Sequence, residues 1–275
     1  MMWFHCTYCI NDYKMINKGS EYMIIRCSEK HREMLMEYLY QDKITNLFLI
    51  GDIINFGFNN DFQTVFMDFE TEIKTIYLIY RSNLVISSKV NKVDVNFIEK
   101  IVDEYQIMVI NGAKVVMDQV KLPKFKPENC TIAKLDCLSN YVNDRQIERL
   151  TIDRLQEVFQ QILKVFPLTQ IDSLSHQLKT NTGRTFLYYV ENEIVSFASS
   201  TAECDDLAMI VMVGTLKEHR GFGYATKVVS ALVQSLLSEG KTPVLFFSDS
   251  LAGKIYHKIG FKDVGKYTIQ RKDVV

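Results

Sequence analysis

Six consecutive residues, Arg220-Gly221-Phe222-Gly223-Tyr224-Ala225, followed by Thr226, set a fixed cation beside two residues without side chains, where a helical pattern begins. The first turn of a helix carries N–H groups that have no intrahelical acceptor, together with a partial positive charge. Glycine lets an anion come close to both. Arg220 adds a full charge at the same place. The chemistry that suits this grouping is capture of a diphosphate. The competing reading is a plain strand-to-helix turn, because short glycine motifs recur in chains that bind nothing.

The elements that must position these residues are legible on both sides. Met209 to Val213 is a β-rich run, and Ala225, Val228, Val229, Leu232 and Leu236 recur at helical spacing until Gly240 ends the pattern. A buried-type strand, Pro243 to Phe247, follows, and then a short helix that ends Lys254-Ile255-Tyr256-His257-Lys258-Ile259-Gly260-Phe261. This order resembles the GNAT superfamily of acetyl-CoA-dependent N-acetyltransferases, which carries Q/R-x-x-G-x-G/A and, further on, Tyr-x-x-x-Gly-Phe. Arg220, Gly223 and Ala225 fill the first pattern, and Tyr256, Gly260 and Phe261 fill the second. The likeness runs from Thr151 to Lys272 and is much weaker before that.

The resemblance implies acetyl-CoA as co-substrate and no metal. Its diphosphate would lie against Arg220, Gly221, Phe222, Gly223, Tyr224, Ala225 and Thr226. Its pantetheine arm and thioester would lie along the main chain of Met212, Val213 and Gly214, with Gly214 permitting a bulge. Tyr256 would protonate the departing thiolate, a step for which a phenol of pKa about 10 is suited; it could also simply pack between Ile255 and Ile259. The implied acceptor is a small-molecule amine or a protein or peptide amine, attacking directly from a cleft rimmed by Ile44 to Phe56 and Phe166 to Leu178.

No general base declares itself. Glu203, Asp205 and Asp206 lie in the turn before the central strand, where a carboxylate could take an amine proton through water, yet each also reads as an ordinary solvated acid. His219 and His257 flank the two motifs without a visible orienting partner. Asp249 stands where many family members have an asparagine that bonds the cofactor arm, and an ionised aspartate accepts but does not donate. Lys217 replaces a common proline.

Two other functions fit parts of the pattern. In a dinucleotide-dependent oxidoreductase, Gly221 and Gly223 would open the helix and Asp249 would hold a ribose. That fingerprint needs its glycines at the strand end, which here lies near Thr215, and a third glycine where Thr226 stands. A non-catalytic acyl-CoA-binding module would keep the cofactor turn and lack turnover. A tandem transferase that draws on aminoacyl-tRNA also has two such folds, but the intact cofactor turn opposes it.

The 275 residues suffice for one large or two modest domains; 47% are hydrophobic and 24% charged, as in ordinary globular chains. A formal net charge of −1 gives no electrostatic case for nucleic acid or an anionic membrane. No apolar run approaches a bilayer span and the start lacks a signal-type apolar core, so the expected compartment is the cytoplasm. Cys27, Cys130, Cys137 and Cys204 suit scattered reduced thiols. Cys6-x-x-Cys9 with His5 could be half a zinc site, but no second pair completes it. Residues 1–22 are either native structure or an upstream extension.

The expected class is α/β (α+β): a mixed, mostly antiparallel sheet flanked by helices. Met23 to Cys27, Thr64 to Glu70, Ile73 to Tyr80, Leu84 to Ser88 and Ile107 to Ile110 read as strands. A helix after Ser28, a segment from Ile44 to Phe56, a helix from Val95 to Tyr105 and another from Lys114 to Val120 lie among them. Pro123 and Pro127, set among lysines, read as a solvated connector, which divides the chain into 1–125 and 126–275. After it come a strand at Thr131 to Cys137, helices from Thr151 to Phe166 and Ile171 to Leu178, and a hairpin of Thr185 to Val190 with Ile194 to Ser200. Both halves thus show the same order, and Glu70-Thr71-Glu72-Ile73 is echoed by Glu191-Asn192-Glu193-Ile194. The expectation is an internal duplication in which the first copy is degenerate, since Lys89 to Asp94, where its phosphate turn would fall, has no glycine. Such a chain would be a monomer with pseudo-dimeric halves, its oligomeric state open.

Overall fold

The computed structural model describes residues 23–58, 60–167 and 169–273; the Cys6, Cys9 and His5 half-site and the 1–22 segment lie outside them. The first half contains β1 (Ile24–Arg26), α1 (Arg32–Tyr40), α2 (Leu47–Phe56), β2 (Gln63–Phe69), β3 (Ile73–Tyr80), β4 (Asn83–Ser88), α3 (Val95–Glu104), β5 (Val109–Ala113) and α4 (Lys114–Met117). The second contains β6 (Phe125–Leu135), β7 (Ile147–Arg149), α5 (Leu155–Val165), α6 (Ile171–Thr180), β8 (Thr185–Val190), β9 (Glu193–Thr201), β10 (Leu207–Thr215), α7 (Tyr224–Leu237), β11 (Thr242–Phe247), α8 (Ser250–Ile259) and β12 (Phe261–Lys272).

All the strands join one sheet, in the order β1-β2-β3-β4-β5-β12-β6-β11-β10-β9-β8-β7. Read inward from either edge, the same steps recur: three antiparallel pairings, one parallel pairing (β4 with β5, β10 with β11), then one more antiparallel strand. That strand is β12 beside β5 and β6 beside β11. These two strands then pair with each other from Phe125 opposite Lys272 to Leu135 opposite Phe261. The order β1-α1-α2-β2-β3-β4-α3-β5-α4 is also that of β7-α5-α6-β8-β9-β10-α7-β11-α8.

Helices cover both faces, which is why strands such as IKTIYLIY in β3 are buried almost continuously rather than in alternation. α1 and α2 cover a core that reaches from Met67 and Leu78 across to Met209 and Val244. α3 and α4 cover the other face of the first half, and α7 and α8 that of the second.

One expectation needs correction, and one strand went unread. Residues 125–130 are not a connector: β6 already begins at Phe125, and Pro127 pairs with Gln270 of β12. The proline is tolerated because β11 joins the other side of β6 only from Thr131 to Lys134, so the ladder there has an open side. The last strand, β12, was hidden by its charge. It carries Lys262, Asp263, Lys266, Arg271 and Lys272, and much of what it buries is polar, namely Thr268 and Gln270 beside Tyr267.

A buried ion cluster fixes the far end of α7 to the sheet. Arg184, 4% exposed, donates to Glu203 at 2.9 and 2.6 Å, to Glu239 at 2.6 and 2.7 Å and to Ser235 at 2.9 Å, while Lys241 reaches Glu203 at 2.8 Å. Burial alone would raise the Glu203 pKa, but hydrogen bonds from Arg184, Lys241 and Ser200 outweigh it and hold it low. Glu239 falls from 4.5 to about 2, chiefly through the hydrogen bond from Arg184. Folded-state values below the unfolded ones stabilise the fold fully above pH 4.5, and that contribution fades as pH falls toward 2. Arg184→Met, which leaves Glu203 buried with one cation fewer, is expected to cost about 3 kcal/mol or more of unfolding free energy in urea titrations at pH 7. The loss should shrink markedly when the titrations are repeated at pH 3.

Candidate active site

β10 and β11 are in parallel register only from Leu207 opposite Thr242 to Ile210 opposite Leu245. Beyond Ile210, β10 continues to Thr215 with a partner on its β9 side alone. There the register jumps, with Val211 opposite Ser199 and Gly214 opposite Phe197, so Met212 and Val213 stand against a single β9 residue, Ala198. Met212 takes a left-handed conformation, φ 51°. This is a β-bulge, which turns main-chain groups away from the ladder.

The expected bulge is therefore present, but its strained residue is Met212 rather than Gly214. Glycine at 214 has a different cause: a Cβ there would sit 2.7 Å from Cγ1 of Val165 and 2.9 Å from Cε2 of Phe166, where the end of α5 crosses the strand.

From Thr215 a short 3-10 turn, Lys217–His219, leads to Arg220, and α7 begins at Tyr224 with Gly223 as N-cap. Gly221 and Gly223 have φ of 88° and 80°, and a Cβ at either would meet nothing within 4 Å. These glycines answer to backbone conformation and border open space, in contrast to Gly214. The first-turn N–H groups of α7 follow them without intrahelical acceptors. The guanidinium of Arg220 stands beside them, its Nε donating to the Thr215 carbonyl at 3.2 Å.

Three rings form a stack along this turn: Phe222 on Tyr224 at 5.8 Å, and Tyr224 on Tyr188 of β8 at 4.6 Å. Phe222, 66% exposed, ends the stack in solvent. One turn into α7, the ammonium of Lys227 donates to Asp144 at 2.9 Å and to the Tyr188 hydroxyl at 3.0 Å. Those two bonds raise the Lys227 pKa, and Lys227 in turn lowers that of Asp144. No local pattern in the chain announces this group. Asp144 lies in a polar loop far from Lys227 in the chain, and only the fold closes the gap.

Tyr256 lies on α8, 7% exposed, in the apolar cluster that also takes in Val228 and Val229 of α7 and touches Val213 and Tyr224. The structure thus brings Tyr256 to the same cluster as the end of β10 and the start of α7. Among the described residues its hydroxyl has no hydrogen-bond partner, yet it is not one of the fully buried unpaired atoms. Burial, with a smaller push from the Asp249 charge, raises the phenol to about 12, so it stays protonated at any physiological pH. Asp249 itself caps α8, accepting from the Leu251 N–H at 2.8 Å.

The acids considered as bases are elsewhere. Glu203 is locked in the Arg184 cluster beside Ser235 and Glu239, at the C-terminal end of α7, and 14 helical residues, about 21 Å, separate that end from Gly223. Asp206 pairs with Lys43, and its carbonyl accepts from Thr242, where β10 and β11 begin rather than where they part. Asp205 precedes it in the same turn. Both histidines do have partners: His257 meets Asp263 at 2.7 Å and His219 lies 3.9 Å from Glu193. The segments expected to rim the acceptor cleft do approach one another, Phe56 of α2 lying 5.3 Å from His176 of α6. Among the described residues no cluster of metal-ligating side chains is present.

The model of one protein family, GNAT acetyltransferase, matches residues 64–270, about half of the first half and nearly all of the second. The chain belongs to that family. No curated protein matches the sequence. Among solved structures, this GNAT chain is similar to a Drosophila protein (TM-score 0.66, 11% identity, covering 90% of this chain and 98% of that one). It is similar also to a GCN5-related N-acetyltransferase-like protein from Streptococcus suis (0.62, 15%, 89% and 99%). A third is a tandem GNAT protein from the clavulanic acid biosynthesis pathway (0.55, 8%, 91% and 98%). At such identities the likeness is one of fold. No helix among the described residues is long and apolar enough to cross a membrane.

The two kinds of glycine at the site should respond differently to alanine. Gly223→Ala adds strain but no clash and is expected to cost about 1 kcal/mol. Gly214→Ala must displace Val165 and Phe166 and is expected to cost about 1–3 kcal/mol, with the larger loss in chemical denaturation.

Proposed function

We propose that this protein is an acetyl-CoA-dependent N-acetyltransferase that passes the acetyl group directly to a primary amine. The observation that carries the proposal is the coincidence, at one place, of a strand pair that parts, a bulge and an open glycine turn at a helix N-terminus. Two of these are sources of unpaired N–H groups, and they suit the two parts of the co-substrate: an anionic diphosphate and a thioester arm. When bound, acetyl-CoA would supply the acetyl group as a thioester.

The chain's own residues then have distinct tasks. Amides from Gly221 to Thr226, with Arg220, hold the diphosphate, and main-chain groups of Met212, Val213 and Gly214 hold the arm and orient the thioester carbonyl. Phe222 and Tyr224 offer flat apolar surface beside the turn. As the amine nitrogen bonds to the carbonyl carbon and the carbon–sulfur bond breaks, Tyr256 gives its proton to the sulfur; the nitrogen loses one proton to solvent, and the phenolate regains one from solvent. Its raised pKa keeps the phenol protonated until the thiolate forms. A cytoplasmic setting and a small-molecule, protein or peptide amine as acceptor belong to the same proposal.

A second reading, an acyl-CoA-binding module without turnover, is favoured by one observation: none of the acids considered as bases lies at the parted strands. A panel of amines monitored for free thiol separates the two. The transferase reading predicts release with at least one amine, whereas binding without release from any of them supports the module. Arg220→Glu is expected to weaken acetyl-CoA binding at least tenfold in calorimetry. Tyr256→Phe should leave that affinity within twofold and lower kcat at least tenfold; unchanged turnover would remove the acid role.

A further inference from the structure

The first half closes the counterpart of the cofactor turn and opens a different recess beside it. The segment between β4 and α3 contains no glycine, and the Asp94 carboxylate accepts from the Phe97 N–H at 3.0 Å, placing a negative charge where an anion would otherwise sit. Beneath that segment lies a cavity of about 470 Å³. Ligand pockets run from about 300 to 1,000 Å³, so this one has room for a small molecule.

Asp68 of β2 lines the cavity and is 5% exposed; its Oδ1 is fully buried and has no hydrogen-bond partner. Aspartate is an unfavourable choice inside a strand, and a buried carboxylate oxygen without a donor is costly. Burial pushes its pKa up, Lys74 pulls it down, and Asp94 and Glu70 push it up further. Val90, Lys92 and Val93 form the remaining wall.

The recess is preformed. Lys92 is pinned to the sheet by its carbonyl, which accepts from Ser88 at 2.8 Å and lies 3.0 Å from the Thr75 hydroxyl, and by its N–H, 3.3 Å from the Ser88 hydroxyl. The Asp94 N–H donates to the Tyr77 hydroxyl at 3.2 Å. A simple cation would meet Lys74 and Lys92, and a simple anion would meet Asp68. A molecule carrying both charges satisfies each end, and an ammonium brings three donors to the Asp68 carboxylate.

We propose that this recess is a second ligand site, separate from the parted strands of β10 and β11, which takes a small zwitterionic amine of the α-amino acid type, ammonium against Asp68 and carboxylate toward Lys92. The site does not depend on the transferase reading.

The test is calorimetric titration of the full chain with glycine, leucine, phenylalanine, glutamate and lysine, each also as its methyl ester and its N-acetyl derivative. At least one free amino acid should bind saturably at one site per chain, and blocking either charged end should weaken it at least tenfold. Asp68→Asn should abolish that binding while keeping thermal stability at or above the parent's, because it removes a buried charge. Lys92→Gln, on an exposed segment, should weaken the free amino acid at least fivefold and leave its methyl ester unaffected. This second variant decides the matter if Asp68→Asn folds poorly. Binding of none of the five, or binding that changes less than twofold in the folded variants, would overturn the proposal.

Discussion

Parallel pairing between β10 and β11 lasts four residues and then stops, and the rest of the second half is arranged around that stop. A strand in the middle of a sheet ordinarily has both rows of main-chain groups satisfied. Here the bulge at Met212 breaks the row on one side while α7 is set with its N-terminus at the opening. The helix is held in that attitude from its other end, by the Arg184, Glu203, Glu239 and Lys241 cluster. Charge is thus spent at one end of α7 on rigidity, and the other end keeps the only N–H groups that the helix cannot satisfy itself.

The first half shows what the same order of elements becomes when that opening is not kept. Its parallel pair, β4 with β5, also ends early, at Ile86 opposite Gly112. The turn that follows is filled with side chains, and Asp94 satisfies the start of α3 from within. The halves are joined through β12, which pairs with β5 of the first half on one side and with β6 on the other, so the sheet of one half continues into that of the other. A division of labour follows from this: one half retains an unsatisfied helix terminus, and the other closes its own and supplies β12 with a partner in β5.

Much of this was legible in the sequence, and the exceptions have physical causes. Strands of the first half could be read because both of their faces are buried and their composition is apolar throughout. The turn at Arg220 to Ala225 could be read because positive φ at two positions demands glycine. β12 could not, because a strand between two others tolerates lysine and glutamine when neighbouring strands and helices satisfy them; Gln270 donates to the carbonyls of Met117 and Val120, far away in the chain. Pro127 suggested a break, since sequence does not reveal that the ladder beside it is open. Gly214 suggested the bulge, whereas the strain fell on Met212, a residue with no intrinsic preference for it. The Lys227, Asp144 and Tyr188 group, joining three separate elements, left no local trace.

The central claim is that the main chain at the parted strands and at the start of α7 grips an anionic coenzyme. Amide hydrogen exchange of the full chain, with and without saturating acetyl-CoA, tests this most directly. Slowed exchange concentrated in residues 212–214 and 221–226, with 89–94 unchanged, is the predicted result. Protection confined to other segments, with 221–226 exchanging as fast as in the free protein, would contradict it.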